Sequence, residues 1–250
     1  MRGIHRQRIA DEIFGGSAVV VNGPVLPNVY HSLENPRFAS EFPVLSWEYS
    51  LPMYEYDPAE ANRLLDAAGW ARGPDGVRTK EGQRLSFEYA APRNATRQAI
   101  QELVAQDLRQ LGIDPQVVNY ARGYRDDDGP VWTGRCKFCQ MALISEPDSS
   151  FEQWTPDPWN IDVQHYWPNW QRYYNENVTH ANALFKTTIG RAQVAEQSAI
   201  IQVQVMTDVA IVPLVQLSVV EIYRSTLKNR RTAGTGISQW WNITQWYFEP

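Results

Sequence analysis

The sequence predicts an α/β protein, and three stretches support that prediction. They are a short amphipathic helix over residues 57–69, a β-hairpin pattern over residues 77–89, and a helix over residues 96–111 that precedes a strand over residues 113–119. A strand, a helix and a second strand joined by connections of this length are typical of a parallel βαβ unit. We therefore expect a parallel sheet covered by helices.

The helix over residues 57–69 has a recognisable beginning and end. Asp57 is placed to cap it, Pro58 suits its first turn, and Glu60 is expected to complete a capping box. Gly69 ends the helix in a left-handed conformation. Apolar residues recur at helical spacing between these ends and predict one narrow face that docks on a flat neighbour; they are Ala61, Leu64, Leu65 and Ala68.

The next two elements are bounded in the same way. The segment Lys80–Gln83 separates two strand-like runs, over residues 77–79 and 84–89, which predicts a hairpin. The helix over residues 96–111 is followed by Gly112 as its stop. Its predicted buried stripe consists of Ile100, Leu103, Val104, Leu108 and Leu111.

The rest of the chain is less regular. We expect a helix over residues 4–14 and an extended, proline-rich connection over residues 22–56. The stretch 145–177 is long, irregular and rich in Trp, Pro and Asn, and such segments are uncommon unless they have a function. The other predicted elements are strands over 138–144, 211–216 and 219–223, helices over 179–188 and 191–208, and a basic return over 228–236.

The composition excludes several classes of function. The net charge of −5 leaves no basic footprint for nucleic acid, and no apolar run approaches the length of a membrane span. The unusual feature is the ten Trp and twelve Tyr residues, half of them within residues 154–174 and 240–248. Such density indicates large packing surfaces and, for one or two residues, a stacking platform for a ligand.

The sequence contains no recognisable catalytic or metal-binding motif. Cys136 and Cys139 form a single CxxC without a second pair of ligands, and the four His residues are scattered. Two ordinary thiols are expected there, with a disulfide left open. The acidic turn over residues 126–129 lacks the spacing of a calcium loop. We therefore predict no catalytic residue, no metal site, no cofactor and no enzymatic activity.

Several stretches resemble the C-terminal lobe of the family 5 extracellular solute-binding proteins, which serve ABC importers of dipeptides, oligopeptides, nickel complexes and some oligosaccharides. The resemblance is carried by YDPAEANRLLDAAGW at residues 56–70, DGVR at 75–78, KEGQRLSFEYAAPRN at 80–94 and LRQLGID at 108–114. The opening MRGIHRQRIADEIFGGSAVVVNGPVLP is similar to the helix and Gly-Pro turn before the second lobe of the family.

The resemblance implies an α/β fold of the periplasmic binding protein-like type II class, with the second lobe and an incomplete part of the first lobe. Residues 1–50 are expected to be the incomplete first lobe and a crossing segment, residues 51–222 the ligand-binding second lobe, and residues 223–250 the return. The chain would start about halfway through a full-length member, as a fragment, a truncated gene or half of a split protein. A periplasmic or extracellular location is implied, with a lipoprotein anchor open for a full-length parent, although residues 1–14 contain no signal peptide.

The resemblance also implies where a ligand binds. In peptide-binding members, the segment matching residues 140–151 supplies a backbone edge for the ligand and an Asp that pairs with its ammonium group. Leu143 stands at the position of that Asp, and an apolar side chain cannot neutralise a buried ammonium. A ligand without a free α-amine is therefore favoured. The predicted ligand-binding residues are Met141, Leu143, Ser145, Glu146, Asp148 and Trp154.

The function implied by the resemblance is the capture of a peptide or another small polar solute between two lobes for an ABC importer. The implied partners are a peptide- or oligosaccharide-like small molecule and an ABC permease in the membrane, with no nucleic acid. The alternative is a Trp-rich carbohydrate-binding or scaffolding module without a transporter. Neighbouring permease and ATPase genes would favour import.

Overall fold

The computed structural model describes residues 1–29, 31–126, 128–131, 133–141, 169, 172–217, 222–231 and 242–249. These residues form seven α-helices and ten short β-strands. The helices are α1 (Arg6–Phe14), α2 (Pro36–Glu41), α3 (Pro43–Glu48), α4 (Pro58–Ala67), α5 (Ala95–Gln110), α6 (Glu176–Thr187) and α7 (Arg191–Thr207). The strands are β1 (Val19–Val20), β2 (Ala71–Arg72), β3 (Arg78–Lys80), β4 (Gln83–Arg84), β5 (Ser86–Pro92), β6 (Asp114–Tyr120), β7 (Phe138–Cys139), β8 (Val215–Gln216), β9 (Leu227–Lys228) and β10 (Tyr247–Phe248).

A parallel sheet of three strands positions the candidate site. β5 lies between β6 and β7, and its pairing with β6 runs from Ser86 opposite Asp114 to Pro92 opposite Tyr120. α5 connects β5 to β6, which confirms the predicted βαβ unit. The helix begins where the side chain of Asn94 accepts the backbone N–H of Arg97. The start of the helix therefore follows the local sequence.

The apolar stripe of α5 packs on this sheet. Ile100 and Val104 are buried with Tyr89 of β5, and Ile9 of α1 joins the same cluster. Asp107, which is 4% exposed, accepts the backbone N–H of His5 at 2.8 Å and fixes the start of α1. The predicted helical stripe is confirmed.

The predicted hairpin forms with a shorter turn, but its predicted second strand over residues 84–89 is wrong, because it is divided at Leu85 between β4 and β5, which belong to different sheets. Lys80 of β3 lies opposite Gln83 of β4, so Glu81 and Gly82 make a two-residue turn. Both have positive φ angles, 51° and 79°, as a type I′ turn requires. β2 pairs with the other edge of β3. This small sheet packs against the end of α4 through Arg78 of β3, whose guanidinium donates to the carbonyl of Trp70.

The cap of α4 is as predicted, but its capping box and apolar face are not. Asp57 accepts the N–H of Glu60 at 2.9 Å. The Glu60 carboxylate instead accepts from Arg63 at 2.6 Å, because the Asp57 N–H already donates to the carbonyl of Arg2. Of the four residues of the predicted face, only Ala61 is buried.

The prediction of an extended connection over residues 22–56 is partly wrong, because α2 and α3 lie within it. Each helix has a proline in its first turn, and Asn35 caps α2. With six residues each, they are too short to show helical periodicity in the sequence. Phe38 of α2 is fully buried beside Ala195 and Ala199 of α7, so tertiary packing stabilises them.

A second core is formed by α6 and α7. Val178 of α6 is fully buried against Ile201 and Val205 of α7 and against Val25. α6 begins three residues before its predicted start, because Asn175 accepts the N–H groups of the first turn. α7 begins at its predicted residue.

Arg6 connects three segments that link the two cores. Its guanidinium, which is 7% exposed, donates to the carbonyl of Val21 at 2.7 Å, of Tyr54 at 2.8 Å and of Pro213 at 3.5 Å. One buried cation therefore holds three distant parts of the chain together. The division into lobes at residues 50 and 222 remains a prediction.

The C-terminal strands are shorter than predicted. β8 covers two residues of the predicted strand 211–216 and pairs with β1. β7 covers two residues of the predicted strand 138–144, and residues 142–144 lie outside the described residues. Most of the predicted strand 219–223 and of the basic return over residues 228–236 also lies outside them. Pairing with distant partners, rather than local pattern, sets these lengths.

Candidate functional site

The carboxyl edge of the parallel sheet is the candidate site. From β5 the chain crosses to β6 on one side, whereas β7, the next strand in the chain, pairs with β5 on the other side. The strand order therefore reverses at β5. In parallel α/β sheets, ligands bind in the crevice that such a reversal leaves outside the carboxyl ends of the strands. We call the space beyond Pro92 of β5 and Cys139 of β7 the switch-point crevice.

One of the six predicted ligand-binding residues lies within the described residues. Met141 lies two residues after the end of β7, at the switch-point crevice, and its partly buried side chain packs against the cluster of Ala90, Tyr124, Val131 and Cys136. The other five lie outside the described residues; they are Leu143, Ser145, Glu146, Asp148 and Trp154.

Cys136 and Cys139 are joined by a disulfide, which corrects the expectation of two thiols. Their Cα atoms are 5.8 Å apart, within the usual range for a disulfide. Cys136 is buried in the same cluster as Tyr124. The spacing in the sequence left this pairing open, because the turn that brings the two residues together depends on packing of the loop after β6.

Tyr124 ties that loop to the crevice. Its hydroxyl lies 3.2 Å from the carbonyl of Ala90 and 3.0 Å from that of Gln140, to which it donates. Arg97, in the first turn of α5, makes a long hydrogen bond of 3.5 Å to the carbonyl of Gln140. Burial raises the pKa of Tyr124, and the nearby charges of Arg97 and Arg125 only partly oppose this, so the phenol remains a neutral donor.

Amide side chains are the polar groups at this edge that the sequence analysis did not single out. Asn119 of β6 is in register with Ala91 of β5. Gln140 lies on the other side of Ala91, since its N–H donates to the carbonyl of Ala90 at 2.8 Å. Gln101 of α5 donates to the carbonyl of Tyr89 at 2.7 Å. A signal in the sequence that could have identified this group is the amide near the end of each outer strand, Asn119 in β6 and Gln140 after β7, next to Ala90 and Ala91 in β5.

The chemistry of the switch-point crevice is that of binding. Hydrogen-bonding amides, a phenol and a guanidinium lie near it, beside the apolar cluster of Met141. Within the part of the chain that the structure describes, no three His, Cys, Asp or Glu side chains are grouped so that they could hold a metal ion. Nor does any described helix combine the length and the apolar character that a membrane crossing demands.

A family model described as "Bacterial extracellular solute-binding proteins, family 5 Middle" matches residues 2–177. Protein XP55 of Streptomyces lividans is 30% identical over 118 residues, which are 46% of this chain and 18% of XP55. The nickel-binding periplasmic protein of Escherichia coli K12 is 36% identical over 67 residues, 26% of this chain and 13% of that protein. The match therefore spans less than a fifth of either curated relative.

Solved structures share the fold. The oligopeptide-binding protein of Thermus thermophilus, in complex with a pentapeptide, superposes with a TM-score of 0.74 at 18% identity, over 99% of this chain and 42% of its own. NikZ of Campylobacter jejuni, in complex with Ni(L-His), gives 0.71 at 19% identity, over 98% of this chain and 46% of its own. The predicted periplasmic binding protein-like type II fold is confirmed, and the chain spans less than half of either structure.

Proposed function

Because this chain belongs to the bacterial extracellular solute-binding proteins of family 5, we propose that it captures a small polar solute for an ABC importer. One observation carries the proposal: the family match over residues 2–177 includes all three strands of the parallel sheet and the switch-point crevice. The partners are then a peptide or another small polar solute and an ABC permease in the membrane, and the location is periplasmic or extracellular.

The crevice supports this role physically. Solute-binding sites are concave, largely apolar and equipped with a few oriented polar groups. The switch-point crevice combines the apolar cluster of Met141 with the hydroxyl of Tyr124 and the amide of Gln140. We assign the contacts beyond Met141 to the segment that follows β7, with Leu143, Ser145, Glu146, Asp148 and Trp154 as ligand-binding residues.

Ligand chemistry is proposed from Leu143. Without a carboxylate at that position, a bound ammonium group would be buried unpaired, which is costly. The solute is therefore an oligosaccharide, a blocked peptide or a similar neutral molecule. A periplasmic oligopeptide-binding protein of Thermotoga maritima, solved with mannohexaose bound, superposes with a TM-score of 0.67 at 18% identity, over 86% of this chain and 39% of its own.

Calorimetry on the purified chain tests the proposal. The probes are mannohexaose, trialanine and acetyl-trialanine-amide. We expect binding of a neutral probe, and about tenfold tighter binding of trialanine after Leu143→Asp, since a charge-assisted hydrogen bond contributes ~1.5–3 kcal/mol. The matched control is Leu64→Asp on the exposed face of α4, which should leave all affinities unchanged.

Two outcomes would contradict the proposal. Absence of heat with every probe would oppose a solute-binding role, and equal responses to Leu143→Asp and Leu64→Asp would remove residue 143 from the site.

The carbohydrate-binding or scaffolding alternative rests on Trp154–Trp170, of which the structure describes only Asn169, so no described contact favours it. Loss of solute uptake after deletion of the gene would separate import from that alternative.

A further inference from the structure

Three buried amide oxygens near the switch-point crevice have no hydrogen-bond partner among the described residues. They are Oε1 of Gln101, Oδ1 of Asn119 and Oε1 of Gln140. Gln101 is fully buried and Gln140 is 8% exposed. An unpaired buried acceptor costs ~1–3 kcal/mol, and folded proteins rarely leave one without a reason. Three of them in one place require a donor.

The three side chains share one face of the sheet. Tyr89, Val117 and Phe138 are neighbours across β5, β6 and β7, and all three belong to the core under α5. Asn119 and Gln140 lie two residues beyond Val117 and Phe138, so they occupy the same face, because side chains alternate along a strand. Asn119 and Gln140 lie on either side of Ala91, at the last paired position of the sheet before Pro92 and the crevice.

Gln101 of α5 completes the group from the helix that covers this face of the sheet. Its side-chain N–H donates to the carbonyl of Tyr89 at 2.7 Å and, more weakly, to that of Val118 at 3.4 Å. Val118 pairs with Ala90, one position before the pair of Asn119 and Ala91, and Tyr89 lies one position earlier still. The amide donor of Gln101 is thereby occupied, and its oxygen remains.

The charges nearby decide which donor fits. Arg97 lies at the same edge, with its guanidinium on the carbonyl of Gln140. The first turn of α5 contains no acidic residue, and a helix N-terminus carries partial positive charge. Arg97 and the helix N-terminus disfavour an ammonium group or a metal cation there, and an anion would meet acceptor oxygens. The nearby carboxylate of Glu88 lies on the opposite face of the sheet, because it alternates with Tyr89 along β5, and it accepts from the hydroxyl of Tyr120. A neutral donor, such as a hydroxyl or an amide N–H, can pair with the acceptor oxygens and carries no positive charge that Arg97 would oppose.

We infer that Gln101, Asn119 and Gln140 form an acceptor subsite that receives neutral hydroxyl or amide N–H groups of the captured solute. This inference rests on the proposed function and extends it to residues that precede the segment of Leu143. Access is from the crevice, because Asn119 is only partly buried and Gln140 directly precedes Met141. A retained water molecule offers the same donor chemistry, and the experiment separates these two sources.

The test combines unfolding and binding of the full chain. Gln140→Met and Asn119→Leu remove the amide at similar volume. Gln116→Met is the control, since Gln116 is an exposed amide of β6 whose side chain donates to Ser86. Urea unfolding without ligand and calorimetry with mannohexaose, trialanine and acetyl-trialanine-amide are measured for the parent chain and for each variant.

If the amide oxygens are unsatisfied until solute binds, both variants unfold at the same or a higher urea concentration than the parent chain. They then bind the neutral probe at least tenfold more weakly, and Gln116→Met binds as the parent does. If a water molecule already satisfies the oxygens, the variants unfold earlier while affinity is unchanged, which overturns the inference.

The remaining outcomes also discriminate. Tight binding of trialanine by the parent chain, unaffected by either variant, leaves the solute-binding function standing and removes the acceptor subsite. No binding of any probe by the parent chain removes the proposed function and the subsite together. Equal weakening by Gln116→Met would show a general effect of losing an amide on β6, and would contradict a specific subsite.

Discussion

The guanidinium of Arg78, whose side chain is 1% exposed, contacts the carboxylate of Asp66, which is 64% exposed, at 2.5 Å. The same guanidinium donates to the carbonyls of Leu111 and Trp70 and to the side chain of Asn62. These partners belong to α4, to the residues that follow it and to the end of α5. A single buried cation therefore joins α4, β3 and α5, and its main partners are neutral.

Replacing Arg78 by Met should lower the free energy of unfolding by about 3 kcal/mol, because buried carbonyl groups lose their donor. Asp66→Asn should cost less than about 1 kcal/mol, since the carboxylate is exposed to solvent. Urea unfolding of both variants measures the difference. Equal costs for the two substitutions would show that the ion pair, rather than the carbonyl contacts, is the stabilising interaction.

The turn between β3 and β4 offers a stabilising substitution. Glu81 has a φ of 51°, which favours Asn over Glu in a type I′ turn. Glu81→Asn should raise the free energy of unfolding by about 0.5 kcal/mol, whereas Gly82→Ala at φ 79° should lower it by about 1 kcal/mol. No atom lies within 4 Å of the added methyl group at Gly82, so the loss would be a backbone effect. Thermal unfolding of the two variants should shift in opposite directions.

A hydrogen bond at the end of α7 predicts a dependence of stability on pH. The hydroxyl of Tyr173 donates to Asp208 at 2.5 Å and, with the amides of Gln204 and Asn175, holds the pKa of Asp208 below its ordinary value of 3.8. A carboxylate with a lowered pKa contributes stability above its ordinary pKa, and loses it as the pH falls through the lowered value. The stabilising effect of this bond should therefore be constant near neutral pH and shrink below about pH 4.

Tyr173→Phe checks that sign when urea unfolding is compared with the parent chain from neutral to acidic pH. The two free energies of unfolding should converge in acid. Tyr174→Phe is the matched control, because Tyr174 is 64% exposed. A difference for Tyr173→Phe that persists unchanged at the lowest pH would contradict the role of the carboxylate.

The disulfide between Cys136 and Cys139 closes a very short loop. The chain-entropy model gives about 2 kcal/mol for such a loop, so Cys136→Ala combined with Cys139→Ala should destabilise by up to about that amount. Thiol reagents should label the unfolded parent chain only after reduction, since these are its two cysteines. Lys137→Ala, within the loop, serves as the control. Labelling without reductant would show that the thiols are free.

Local signals in the sequence determined the elements that hold their own boundary information. α5 begins at the cap Asn94 and ends before Gly112, whose φ of 80° suits glycine. The hairpin register follows from a two-residue turn, and the parallel βαβ unit from the length of its connection. In the cap and the turn the interacting groups lie within a few residues, and the βαβ unit is one continuous stretch from Ser86 to Tyr120, so a pattern in the sequence is enough.

Contacts between distant residues were decided only by the tertiary structure. α2 is too short to be periodic and depends on packing of Phe38 against α7. β1 depends on β8, almost two hundred residues later. The amides of Gln101, Asn119 and Gln140 are unremarkable in sequence, and become a group because α5, β6 and β7 place them on one face beside Ala91. The residues of the proposed subsite lie tens of positions apart in the chain, and no local propensity encodes the burial that leaves their oxygens without a partner among the described residues.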